Sequence, residues 1–109
     1  MIDLLKKLLG FQKKHLRGLA HGLKPVVFVG QKGITDTVVG SINEALNSHE
    51  LIKVKFIDFK EKEHKKKIAD IIEKQTGCEQ AGMIGHTAIF YRRQLDPQKR
   101  KIKIPQREP

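Results

Sequence analysis

A chain of 109 residues has room for one domain with its own core, and no apolar run approaches the roughly 18 residues of a spanning helix. Lys and Arg number 22 against 12 Asp and Glu, a formal net charge of +10 with pI about 9.9, which disfavours a cationic partner and points to a polyanionic one; the bland alternative is a soluble protein that happens to be basic. Cys78 is alone, which excludes an internal disulfide and suits a reducing compartment, so a cytoplasmic location is expected, and Met1–Lys7 is too broken by charge to read as a signal peptide.

In chain order, Met1–Leu9 carries apolar residues at positions 2, 4, 5, 8 and 9 and reads as a short amphipathic extension that docks on the core or lengthens the next helix, with a membrane-surface anchor as the alternative. Phe11–Leu23 is predicted as the first full helix, with Leu16, Leu19, Ala20 and Leu23 on one stripe. Lys13, Lys14, Arg17, His21 and Lys24 fall on a neighbouring face that no acidic residue interrupts between Lys6 and Asp36. Such a face is either solvated surface or a set of phosphate contacts, and the missing opposite charges favour the second. Pro25 ends the helix.

Val26–Val29 is apolar throughout and is predicted as a strand. Gly30-Gln31-Lys32-Gly33 follows, and a helix opens at the N-cap candidate Thr35. Strand, glycine-bounded loop and helix N-terminus together make a place where bare backbone amides can face an anion, with Lys32 as a point charge at the tip. A G-x-x-G loop of this kind clamps nucleic-acid backbone in KH domains, although a bare G-x-x-G is more often only a tight turn. The second helix carries Val38, Ile42, Ala45, Leu46 and His49 on its buried stripe and ends near Asn47-Ser48. Leu51–Ile57 alternates, with Ile52, Val54 and Phe56 inward and Lys53 and Lys55 outward; those lysines are either phosphate contacts or edge-strand charges that discourage aggregation.

Asp58–Gln75 is predicted as a third helix with Ile68, Ile71, Ile72 and Gln75 inward, a mixed-sign solvated face that includes Lys65, and Gly77 as its stop. Cys78–Ile84 and Thr87–Arg92 read as two strands around Gly85-His86, and Gly82 marks a bulge or a close approach. Residues 93–109, with three prolines and several cations, read as a flexible basic tail. The expected fold is α/β, a single compact domain of order α-β-α-β-α-β-β with a mixed four-stranded sheet and helices packed on it. No histidine has metal-ligand spacing with Cys78 or a carboxylate, and no nucleophile, Walker or metalloprotease motif occurs, so neither catalysis nor a cofactor nor a metal is expected.

Several stretches then coincide in order: Leu16-Arg17-Gly18-Leu19-Ala20-His21, Leu23-Lys24-Pro25-Val26-Val27, Val29-Gly30-Gln31-Lys32-Gly33-Ile34-Thr35, Ala45-Leu46, His49-Glu50-Leu51-Ile52-Lys53-Val54, Ile84-Gly85-His86-Thr87 and Phe90-Tyr91-Arg92. Together they resemble the CRM domain (chloroplast RNA splicing and ribosome maturation) in its stand-alone, YhbY-like form. The resemblance runs over residues 10–92, leaving 1–9 as an extension and 93–109 as the tail. It implies a fold similar to the C-terminal domain of translation initiation factor three. It also implies an RNA-binding protein that acts on ribosomal RNA precursor or a pre-ribosomal particle of the large subunit; from the chain itself, a non-catalytic monomer with no small-molecule substrate is expected. Carried onto this chain, the RNA-binding residues are Gly30, Gln31, Lys32 and Gly33, with the helical cations Lys13, Arg17, His21 and Lys24; the chain's own charge pattern adds Lys14, Lys53, Lys55 and Arg92 as candidate RNA contacts. A Lys32→Ala, Arg17→Ala double substitution is expected to weaken RNA binding and leave folding intact. The competing expectation is a basic adaptor that docks on an acidic protein or an anionic membrane through its termini.

Overall fold

Capping side chains and glycines divide the chain into its elements, as seen in a computed structural model that describes residues 7–57 and 61–106. Helix α1 spans Gly10–Ala20; Gln12 closes its first turn by accepting the Leu9 amide at 2.9 Å. It stops earlier than the periodicity predicts, because the chain turns at His21-Gly22 ahead of Pro25, and Leu19 and Leu23 are left largely exposed. Strand β1 (Val27–Val29) runs into the glycine loop. Helix α2 (Asp36–His49) begins where Thr35 Oγ1 accepts the Val38 amide at 3.2 Å. After β2 (Leu51–Phe56), helix α3 (Lys62–Thr76) ends at Gly77, whose φ of 72° is the left-handed cap that glycine adopts without strain. Strands β3 (Glu79–Ile84) and β4 (Thr87–Tyr91) form a hairpin, and a short 3₁₀ turn at Pro97–Lys99 follows.

The strands form one sheet in the order β1-β2-β4-β3, with β1 parallel to β2 and the other neighbours antiparallel, which is the mixed four-stranded sheet expected. Alternation along β2 decides its two faces. Ile52, Val54 and Phe56 point to one side and join Val27, Val29, Ala88 and Phe90 against Ile42 and Leu46 of α2 and Ile68, Ala69 and Ile72 of α3. Leu51, Ala81, Ile89 and Tyr91 point to the other side and are covered by Leu16 and Ala20 of α1. Helices therefore lie on both faces of the sheet.

The third helix faces the core differently from its sequence reading. Ile71 is 40% exposed and Gln75 lies at the surface, while Thr76 and Lys65 are buried. Lys65 is not part of the solvated face: its Nζ donates to the Gly85 carbonyl at 3.0 Å and stands 3.2 Å from His86 Nδ1, tying α3 to the hairpin turn. The part of the helix predicted over residues 58–60 lies outside the described residues, as do residues 1–6 of the amphipathic extension.

The flexible tail is the larger correction. Gln94 and Lys101 are tied to the C-terminal end of α2 and to Glu50, and residues 102–105 are strapped against α1. Ile102 and Ile104 pack with Leu8 on the second core. The Lys103 and Pro105 carbonyls meet His15 Nε2 at 3.1 Å and Gln12 Nε2 at 2.9 Å. Glu50 fastens the strap from the core: Oε2 accepts the Gln94 amide at 2.8 Å, and Oε1 accepts the amides of Lys101 at 2.6 Å and Ile102 at 3.0 Å. Prolines and cations dominate the composition of this segment, but two isoleucines and three anchored amides decide its placement.

Candidate nucleic-acid interface

The loop between β1 and α2 is a four-residue turn. The Gly33 amide donates to the Gly30 carbonyl at 2.9 Å, and Gly33 has a φ of 70°. Gly33 is thus required by the turn itself. Gly30 is different. Its φ is not positive, and a Cβ built on it would meet nothing within 4 Å, so the fold makes no demand for glycine there. Gln31 and Lys32 are exposed, and among the described residues no acceptor meets their amides. With Thr35 and Val38 these four residues line an open concavity of about 500 Å³ at the N-terminus of α2. The helix dipole and its free amides favour an anion in that position. Asp36, in the first turn of α2 and exposed, already supplies one negative charge there.

The predicted cations divide into free and engaged groups. Lys14, His21, Lys24, Lys32 and Lys55 are exposed, and Lys13 is half-buried. Arg17 lies flat over β3: its Nη1 donates to the Ala81 carbonyl at 2.8 Å, and a Cβ on Gly82 would fall 2.5 Å from Arg17 Cδ. Gly82 is therefore both a close approach and part of the irregular register between Gln80 and Gly82. Lys53 caps the end of α1, with Nζ 2.9 Å from the Leu23 carbonyl and 3.4 Å from that of His21. Arg92 is saturated by the Asn43 side chain and carbonyl, the Thr76 carbonyl and Asn47 Oδ1, at 2.7–3.2 Å. It sits where β2 begins, because its amide donates to the Glu50 carbonyl, and so at the end of the sheet opposite the glycine loop. The fold brings Lys55 toward the loop, since β2 runs parallel to β1, and Lys53 lies between Lys55 and the end of α1. Arg17 and Arg92 are held as structural ties, so an Arg17→Ala change removes packing on β3 and is not neutral for folding.

Sequence reasoning missed Glu50. It is 1% exposed, has a φ of 62°, and caps α2 by donating its backbone amide hydrogen to the Leu46 carbonyl. A signal was present: α2 ends at His49 and β2 begins at Leu51, with no glycine between them to make the reversal. Cys78 is a free thiol and is buried. Burial pushes its thiol up to about 11, while the Thr76 hydroxyl 3.0 Å away offsets part of that rise. Among the described residues no group of three or more His, Cys, Asp or Glu is placed to hold a metal, and no helix is long and apolar enough to cross a membrane.

An α/β domain with a mixed four-stranded sheet, helices on both faces and a glycine loop at a helix N-terminus defines a class of small basic folds. Within that class the chain belongs to the CRS1/YhbY (CRM) domain family, whose sequence pattern matches residues 8–92. It is 42% identical over 96 residues to a Haemophilus influenzae protein named RNA-binding protein, covering 88% of this chain and 93% of the relative. It is 35% identical over 98 residues to the Bacillus subtilis probable RNA-binding protein YqeI, covering 90% and 99%. The solution structure of a Staphylococcus aureus protein superposes with a TM-score of 0.78 at 31% identity, over 91% of this chain and all of that one.

Proposed function

We propose that the protein is a non-catalytic RNA-binding factor that grips the sugar-phosphate backbone through Gly30–Gly33 and the exposed cations nearby. The observation that carries this reading is the exposed Gly30–Gly33 turn at the N-terminus of α2, where the space beside Gly30 is open and a phosphate can reach the backbone. The unpartnered amides of Gln31 and Lys32, the exposed Lys32 and Lys55, and the names of the relatives support it. The RNA-binding unit is residues 10–92, with 93–106 as its strap. By family resemblance the RNA is ribosomal precursor of the large subunit; the lone Cys78 suits a cytoplasmic setting, and a monomer is the expected binding species.

Two substitutions of opposite sign test the loop. Lys32→Ala weakens binding of a structured RNA by several-fold in fluorescence anisotropy at fixed salt, and Asp36→Asn tightens it by removing a negative charge from the first turn of α2, beside the loop. Unchanged affinity in both variants refutes the loop as the contact. Crosslinking in cells followed by sequencing of the attached RNA tests the finer assignment, with large-subunit precursor as the expected product.

A further inference from the structure

Among the described residues, one row of the sheet has no helix or strap over it on the α1 side, and it is the row beside the glycine loop. Pairing aligns Phe28 with Lys55, Lys55 with Thr87, and Thr87 with Ile84, so these four side chains share one face and cross the whole sheet from β1 to β3. The two rows further from the loop are covered over most of their length, Leu51 and Tyr91 by α1 and the strap, and Ile89 by α1, with Gly82 under Arg17; only Val26, at the β1 end of the middle row, is 47% exposed. Three of its four side chains stay in solvent, with Phe28 54% and Ile84 65% exposed and Lys55 also exposed, while Thr87 is half-buried. An aromatic ring on an open strand beside a cation is an arrangement that takes up unpaired bases, because every base offers a stacking face and the cation meets its phosphate.

We infer that this row is a platform for an unpaired nucleotide, with the base stacked on Phe28 and Lys55 beside its phosphate, next to the backbone held at Gly30–Gly33. The inference rests on the RNA-binding reading and adds to it that the preferred RNA has a single-stranded element at the loop. Charge argues for this occupant over an apolar protein segment: the row is interrupted by Lys55, Lys32 stands at the adjoining loop, and the chain carries a net charge of +10. Reach argues for it too, since Phe28 lies two extended residues from Gly30, about 7 Å, within the span of one nucleotide.

The chain has no tryptophan, so Phe28→Trp installs a single indole reporter. Its emission is expected to be quenched by an RNA hairpin with an unpaired loop, with the same midpoint as the binding curve, and not by a fully paired duplex of equal length. Phe28→Ala is expected to weaken hairpin binding by about tenfold, within the range for one lost stacking contact, and to leave the duplex affinity unchanged. The half-exposed site keeps both variants folded, which circular dichroism checks. Hairpin affinity unaffected by Phe28→Ala overturns the platform. So does an indole emission already blue-shifted and unmoved by RNA, the mark of another segment of this chain or of a second copy lying on the ring. If those results appear while Lys32→Ala still weakens binding, the platform fails and the loop reading survives; if wild-type protein binds neither RNA, both fail.

Discussion

Two glycines three positions apart do different work, and substitution separates them. Gly33 holds a left-handed φ of 70°, and an added Cβ would only touch Ile68 Cδ1 at 4.0 Å, so Gly33→Ala is penalised by backbone conformation alone. We expect a loss of about 1–2 kcal/mol in denaturant unfolding. Gly30→Ala leaves the unfolding curve in place and weakens RNA binding by keeping the phosphate off the backbone. A stability loss at Gly30 with binding unchanged would reverse the two roles. Glu50 is the residue on which the strap depends. Its carboxylate is buried and occupied by three main-chain amides, so Glu50→Ala leaves donors unsatisfied and frees residues 94–102. A loss of roughly 2–4 kcal/mol is expected, together with new proteolytic cleavage in that segment. Glu50→Gly relieves the φ of 62° but loses the same amides, and should also be destabilised.

At the scale of elements, the sequence was most legible where the signal is local. The alternation of Ile52, Val54 and Phe56, the cap at Thr35, the stop at Gly77 and the glycine loop each depend on residues a few positions apart, and each appears in the structure. Charged side chains were the opposite case. Lys65, Lys53, Arg17 and Arg92 look like surface in a helical or strand pattern, yet their destinations are carbonyls and amides 16 or more residues away. The acceptor of Arg17 is Ala81, which no periodicity places over α1. The strap was misread for a related reason. Ile102 and Ile104 alternate in a short polar stretch, a pattern too brief to outweigh prolines and charge until Glu50 is seen to face it. The loop was therefore visible as a candidate, while the split of the surrounding cations into free and engaged groups required the fold.

The whole molecule combines a titratable core with a cationic exterior, and both can be read by stability and binding measured against solution conditions. In the core, burial raises Cys78 from 9.0 to about 11 and Tyr91 from 10.0 to about 12, the latter helped by the nearby Glu50 charge. Both groups are neutral when protonated, and the folded state holds the proton more tightly. Their stabilisation is thus complete below pH 9 and is lost as pH rises through 9 to 12, on the order of 2 kcal/mol from each. Chemical denaturation at stepped pH should show this fall, and Cys78→Ala should flatten its lower half.

On the exterior, the measurement is salt. Each phosphate contact made by a free cation releases counterions and contributes about 0.7–0.9 to the slope of log affinity against log salt. Lys32 and Lys55 are exposed beside the glycine loop, so Lys32→Ala and Lys55→Ala should each lower the slope by close to one contact without moving the unfolding midpoint. Arg92 spends its donors on Asn43, Asn47 and Thr76 at the far end of the sheet. Arg92→Ala should therefore leave the slope intact and lower stability, by roughly 2–3 kcal/mol for a charged group that ties α2 to α3. The two kinds of cation have the same formal charge and differ only in whether the fold has already used them. A slope that fell equally for all three variants would mean that RNA feels only the net charge of +10 and that the arrangement around Gly30–Gly33 is incidental to binding.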